Sequence, residues 1–199
     1  MRILRGIRLF TGGGSGGRRK ALLATVALAM TVAGTGVLSA SPASADTSNY
    51  GGLLALSSSY NLDVDNAATN ANAWLDVWYQ NHNANQNFTY PSSNGQVAPI
   101  EAQNSQMCVD TDGVAGDAVS QQPCDGSAGE QWEAETWTIW FLPGSLLVTF
   151  KNPASGLVLE IYGDSNSPGA TIDAWYPDGG YNQSWIIPGC SNPTPVVCA

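Results

Sequence analysis

The sequence predicts an all-β domain assembled from three copies of one unit, and three observations lead there. Short β-branched and aromatic runs recur between turn signals. No long helical period appears after residue 45. One spacing of acidic, aromatic and amide residues returns three times.

The clearest runs are residues 137–142, 146–150 and 157–161. Asn94-Gly95 and Pro143-Gly144 mark turns, and the first suits a tight hairpin. Residues 67–74 are rich in Ala and Asn and can hold one helical turn, although Asn favours loops. Trp137 and Trp140 sit in an apolar run and read as core, whereas Lys151 reads as a surface charge.

The repeat is a matter of offsets. Leu62-Asp63-Val64 leads to Asp76-Val77-Trp78 and then to Asn85-Gln86-Asn87-Phe88. Leu159-Glu160-Ile161 leads to Asp173-Ala174-Trp175 and then to Asn182-Gln183-Ser184-Trp185. In both copies 13 residues separate the two acids, two more reach the Trp, and seven more reach the Asn. A middle copy runs through Val109-Asp110-Thr111, Ser120-Gln121-Gln122 and Gly129-Glu130-Gln131-Trp132, with only the first interval shortened, to 10 residues. Three copies imply pseudo-threefold architecture.

The amino terminus reads as a signal peptide over residues 1–45. Arg18, Arg19 and Lys20 precede an apolar, small-residue-rich stretch, and Ala43-Ser44-Ala45 forms a small-x-small cleavage signal. Thr, Ser and Gly dilute that stretch and no stop-transfer charges follow, which argues against a membrane anchor. The expected product is secreted and extracellular, with no membrane insertion. Whether export uses the twin-arginine route is left open by the residues after Arg18-Arg19.

Cleavage would remove six of the seven basic residues and leave Lys151 against all 16 acids. Such a surface repels phosphate backbones and anionic lipids, which excludes nucleic acid as an expected partner and is compatible with a neutral ligand. The remainder divides into a domain at 46–189 and a tail at 190–199, together long enough for a real core. All four cysteines fall there, an even count that implies disulfides in an exported chain. Cys108 and Cys124 flank a polar loop, and Cys190 and Cys198 flank a Pro-containing tail. No zinc-like spacing occurs and His82, in a polar loop, is the only histidine, so neither metal nor cofactor is expected.

Leu-Asp-Val, then polar-x-Trp, then Asn-Gln-x-Trp resembles the repeat of the ricin B-type lectins and related bacterial carbohydrate-binding modules. The likeness spans roughly Ser48 to Pro188. It implies a β-trefoil of twelve strands with one shallow sugar pocket possible per repeat. It also implies that Gln86, Gln183, Phe88, Trp132 and Trp185 brace the core, and that Cys108 pairs with Cys124. The equivalent positions hold Asn61 and Gln80 in the first repeat and Val158 and Pro177 in the third, so only the second can be bridged this way. Closeness in sequence pairs Cys190 with Cys198.

The residue chemistry agrees with that likeness. A sugar ring offers a face of C–H groups and an edge of hydroxyls. Trp covers the face with little loss of side-chain entropy. A carboxylate accepts hydroxyl hydrogens, and an Asn amide both donates and accepts. Asp63, Asp76, Trp78 and Asn85, backed by Gln86, make one such set; Glu160, Asp173, Trp175 and Asn182, backed by Gln183, make the other. By resemblance these would clasp a galactose-like sugar, although Asp76 and Asp173 stand where the family usually has an amide and Glu160 is one methylene longer than the usual Asp. The second repeat keeps Asp110, but Gln122 and Gly129 replace the aromatic and the Asn, so it reads as structural.

The expected function is therefore binding of a glycan or polysaccharide, not catalysis. Nucleophilic or metal-assisted hydrolysis lacks its parts, and the repeats account for the whole domain. The alternatives are a trefoil protease inhibitor or protein-binding scaffold, which would act through an exposed loop, and a glycoside hydrolase with two opposed carboxylates.

Overall fold

A computed structural model of the chain describes residues 50–138, 144–191 and 197–198. The leader expected over 1–45, and Trp140, lie outside the described residues. The first repeat supplies β1 (Leu54–Ala55), β2 (Asn61–Val64), β3 (Ala73–Trp78) and β4 (Phe88–Thr89). The second supplies β5 (Val97–Pro99) and β6 (Glu101–Ala102), two halves of a strand broken at Ile100, then β7 (Met107–Asp110), β8 (Ser120–Pro123) and β9 (Gln131–Thr138). The third supplies β10 (Ser145–Lys151), β11 (Val158–Ile161), β12 (Ala170–Trp175) and β13 (Trp185–Pro188).

The first and last strand of every repeat form a closed barrel. β1 pairs β13, β13 pairs β10, β10 pairs β9, β9 pairs β5, and β6 pairs β4. A bridge between Gly51 and Phe88 returns β4 to the approach of β1. The middle strands form the hairpins β2–β3, β7–β8 and β11–β12, which meet as a triangular cap. Three equivalent backbone bonds join the hairpins: Gly169 N–H donates to Val77 (2.7 Å), Gly116 N–H to Ala174 (2.9 Å) and Asn72 N–H to Gln121 (2.9 Å). Closure leaves the barrel no free edge, which all-β proteins otherwise have to protect. This is a β-trefoil.

The core follows from the period-two alternation of the strands. Leu62, Val64, Leu75, Val77, Leu159, Ile161 and Ile172 point inward and are fully buried. At the end of each repeat stands a fully buried ring: Phe88, Trp132 or Trp185. The two indoles donate their ring N–H to Val109 (2.9 Å) and Leu159 (3.2 Å), so no buried donor is left unpaired, and Phe88 has none to pair. Cys108 and Cys124 are disulfide-bonded, with their Cα atoms 5.1 Å apart. Cys190 and Cys198 lie opposite each other in a separate ladder, β14 (Cys190–Ser191) with β15 (Val197–Cys198); the bridge expected between them falls on side chains outside the described residues.

Several local expectations change. Trp137 is half exposed, not core, because Trp132 and Ala134 set the inward phase of β9 and odd-numbered positions face out. Asn94-Gly95 makes a turn, with Gly95 at φ +75°, but no hairpin: β4 and β5 pair with other strands. The turn docks on β9 instead, Gly95 N–H donating to Ala134 and Thr136 N–H to Asn94 Oδ1. The helical turn lies at Asp65–Ala67, meeting the expected segment only at its first residue, and β3 already begins at Ala73. Lys151 is a surface charge as expected, paired loosely with Glu135 at 3.6 Å, a contact worth little.

Candidate functional site

Each repeat closes its hairpin with the same device. Asn81, Asp125 and Asp178 turn the chain by accepting the N–H two residues on, at 2.8, 2.8 and 2.7 Å, and a 3-10 turn follows at Ala84–Gln86, Ala128–Glu130 and Tyr181–Gln183. Each 3-10 turn ends on the residue aligned with Gln86. In the first repeat Gln86 Oε1 accepts from Asn81 N–H (2.8 Å), while its Nε2 donates to Tyr79 O (2.8 Å) and to Asp63 Oδ2 (2.7 Å). In the third, Gln183 Oε1 accepts from Asp178 N–H (3.0 Å), while its Nε2 donates to Tyr176 O (2.9 Å) and to Glu160 Oε2 (2.6 Å). Both glutamines are buried and line neither of the two acid–Trp pockets, although Gln86 borders a separate cavity with Gln80 and His82. They hold the leading acid in place from behind the two pockets.

The first pocket has a volume of about 270 Å³ and brings together Asp63, Asp76, Trp78 and Asn85. Asp63 and Asp76 face each other across the β2–β3 ladder. Asp63 is almost fully buried, with Oδ1 accepting from Asn85 Nδ2 at 2.8 Å. Its carboxyl is raised by burial, against the lowering effect of the Gln86 and Asn85 bonds. Asp76 has no such amides: burial, then the charges of Asp63 and Asp65, pushes it up to about 7. Trp78 is 44% exposed, and the edge of its ring lies 3.4 Å from where a Cβ on Gly169 would stand. Asp65, Asn66, Asn81 and Asn83 complete a polar rim. His82 lines a different cavity, beside Gln80 and Pro188.

The third pocket, about 690 Å³, brings together Glu160, Asp173, Trp175 and Asn182. Glu160 and Asp173 are opposite each other in the β11–β12 ladder. Burial pushes Glu160 up to about 7, opposed by its Gln183 bond and reinforced by Asp173; burial also pushes Asp173 up to about 6. Asn182 donates to Ile161 O (3.3 Å), so it does not repeat the Asn85–Asp63 contact. Gly179 and Gly180, the counterparts of His82 and Asn83, both line this pocket, whereas only Asn83 lines the first, and any side chain at Gly180 would collide with Asn182 Oδ1. Trp175, 40% exposed, packs on Gly116 as Trp78 packs on Gly169, and both glycines take positive φ in equivalent turns of the second and third hairpins.

Buried acceptors collect in these two pockets. Asp76 Oδ1, Asn85 Oδ1 and both carboxylate oxygens of Asp173 have no hydrogen-bond partner within the protein; among the described residues only Ser57 Oγ and Asn104 Oδ1 share that state. Such atoms cost stability unless a donor reaches them.

The second repeat departs at three points. A side chain at Gly129 would collide with Thr111 O and the Asp110 carboxylate, so no Asn fits there. Glu130 replaces the glutamine and accepts from Asp125 and Gly126 N–H, but a carboxylate has no hydrogen to offer Asp110. Burial, then the Glu130 charge, raises Asp110 instead. Gln122 stands in the Trp position, its Nε2 donating to Asn72 Oδ1 and Ser120 Oγ, both at 3.0 Å.

Residues 50–185 match the family model of the ricin-type β-trefoil lectin domain. The chain belongs to this family. Membership supports carbohydrate binding in general terms. No curated protein matches the chain significantly. Among solved structures, a designed threefold-symmetric protein, ThreeFoil, is 25% identical with a TM-score of 0.58, over 69% of this chain and 97% of that one. The C-half of an earthworm R-type lectin in complex with GalNAc is 21% identical with a TM-score of 0.54, over 70% and 97%. The ricin B-like lectin of Macrolepiota procera in complex with lactose is 15% identical with a TM-score of 0.52, over 70% and 94%. At these identities the two natural lectins show the fold alone.

All the acids, tryptophans and asparagines picked out by spacing in the first and third repeats reach their pockets. Sequence reasoning missed the polar rim residues Asp65, Asn66, Asn81 and Asn83, and Tyr162, Asp164 and Asp178 in the third pocket. The Asx turns at Asn81 and Asp178 carry a legible signal, a short polar residue two before a Gly or Asn; Tyr162 does not.

Proposed function

We propose that the chain is a secreted lectin without catalytic activity, which holds galactose-like or related neutral glycans in the pockets of its first and third repeats. One observation carries this reading: buried acceptors lacking a protein partner gather beside a half-exposed Trp in those two pockets. A sugar supplies what both features lack, hydroxyl donors on its edge and an apolar face for the indole. The lactose and GalNAc bound by two trefoil lectins of the same fold support the galactose-like class. The leader pattern at 1–45 and the disulfide support export.

Titration with galactose and lactose, by calorimetry or ligand-observed NMR, tests the assignment. Trp78→Ala should abolish the first site and Trp175→Ala the third, since loss of stacking costs about 0.5–1.5 kcal/mol beyond the lost contact area at a site already weak. Gln122→Ala should change little. A folded Trp78→Ala, Trp175→Ala double variant that binds as well as wild type would overturn the assignment.

A further inference from the structure

Besides Tyr79, Tyr176 and Tyr181, two further highly exposed aromatic side chains, Trp74 and Tyr162, each 61% exposed, stand apart from the acid–Trp–Asn sets. They belong to different elements but to the same corner of their hairpins. In β2–β3 the last pair is Val64 with Leu75, and the next step sets Trp74 beside the turn that starts at Asp65. In β11–β12 the last pair is Ile161 with Ile172, and the next step sets the turn residue Tyr162 beside Thr171. Tyr162 thus aligns with Asp65, and Trp74 with Thr171. Each hairpin that has a pocket Trp therefore carries one further exposed aromatic at this corner, once from the strand and once from the turn. The second repeat has Asp112 and Ala118 at the two positions, Gln122 in place of the pocket Trp, and no aromatic at any of them.

Position within the strand sets what the pair can reach. Trp74, Asp76 and Trp78 alternate on one face of β3, while Leu75 and Val77 between them are buried. Trp74 and Trp78 are roughly 13 Å apart at the ordinary rise of a strand, with the acid pair between them. One sugar ring seated on Trp78 cannot cover Trp74 as well. In the third repeat Tyr162 lines the same cavity as Trp175, and that cavity is the larger of the two.

We propose that each pocket is one end of a groove for a glycan chain: one sugar ring lies on Trp78 or Trp175 against the acids, and a further ring of the same chain lies on Trp74 or Tyr162. The inference rests on the lectin reading above and names its ligand class, an oligosaccharide or polysaccharide segment rather than a single terminal sugar. Stacking on a second large, rigid ring adds affinity only when the ligand is long enough to reach it.

The test titrates wild type and variants with galactose, lactose and a β-1,3-linked galactotriose. Wild type should bind the trisaccharide about tenfold more tightly than galactose. In Trp74→Ala, Tyr162→Ala that ratio should collapse to about one, whereas Trp74→Tyr, Tyr162→Phe should retain most of it. Equal wild-type affinity for galactose and galactotriose, or a tenfold ratio that survives the double alanine change, overturns the extended groove and leaves the single-sugar pockets standing. A ratio lost as fully in the Tyr, Phe variant overturns stacking as its cause. Absence of galactose binding to wild type overturns the pocket reading, and the groove with it.

Discussion

Asp63 opposite Asp76, and Glu160 opposite Asp173, place like charges directly across an antiparallel ladder, an arrangement that destabilises a sheet when both are ionised. The fold treats the two members differently. A glutamine donates to the leading acid, whereas Asp76 and Asp173 keep oxygens without a protein partner; Asp76 and Glu160 are pushed up to about 7 and Asp173 to about 6. These are carboxyls whose folded pKa lies above the unfolded value of about 4. Between those values the folded state holds more protons than the unfolded one, so their contribution to stability is full below about pH 4 and is lost as pH rises through 6–7. Ligand binding runs the other way, since only the ionised acid offers all its lone pairs to sugar hydroxyls. Thermal stability should therefore rise on going from pH 8 to pH 5 while glycan affinity falls, and Asp76→Asn combined with Glu160→Gln and Asp173→Asn should flatten both trends. Parallel melting curves and titrations at the two pH values check this; affinity that strengthens on acidification would contradict it.

Among the elements, the three hairpins were legible because a strand's period of two and the fixed offsets between acid, Trp and Asn leave one register that buries Leu62, Val77, Leu159 and Ile172. Tertiary pairing escaped the sequence. Asn94-Gly95 carries a strong local hairpin signal, yet β4 and β5 are claimed by β6 and β9, and Trp137 faces outward because Trp132 fixes the phase of its strand. The partners of Gln86 and Gln183, and the corner shared by Trp74 and Tyr162, depend on contacts across a hairpin that no linear pattern displays. The second hairpin differs again, since Cys108–Cys124 ties β7 to the residue after β8 across 16 residues. In a chain-entropy account a loop of that size contributes about 3 kcal/mol. Cys108→Ser with Cys124→Ser should lower the unfolding free energy by about that amount and leave galactose binding by the other two hairpins intact. Denaturant titration measures the loss, and peptide mapping of the non-reduced protein should in addition recover Cys190 joined to Cys198. A loss below about 1 kcal/mol would mean that the hairpin is held by packing alone.

The described residues combine a closed barrel and its triangular cap with pockets at the first and third of three pseudo-symmetric hairpins. After residue 45 the sequence has Lys151 as its only basic side chain against 16 acids, so anionic glycans are disfavoured and neutral ones are not. Because the pockets face different directions, a short free glycan engages one at a time. Each is open and polar, and must strip water from hydroxyls, so a dissociation constant of roughly high-micromolar to millimolar is expected for one sugar. A surface dense in the same glycan changes the arithmetic. Once one pocket is occupied, the second meets its ligand at an effective concentration on the order of millimolar, and the overall gain reaches about 10²–10⁴ without any new contact. Half-saturation on an immobilised galactan should therefore occur at least about a hundredfold below the dissociation constant for free galactose. Removing either pocket alone, by Trp78→Ala or by Trp175→Ala, should erase most of that gain while the surviving pocket still binds free galactose as before. Surface binding and solution titration on the same preparations provide the comparison. If wild type binds the dense surface no more tightly than the free sugar, or if a single-pocket variant keeps the full gain, the two flanks do not act together.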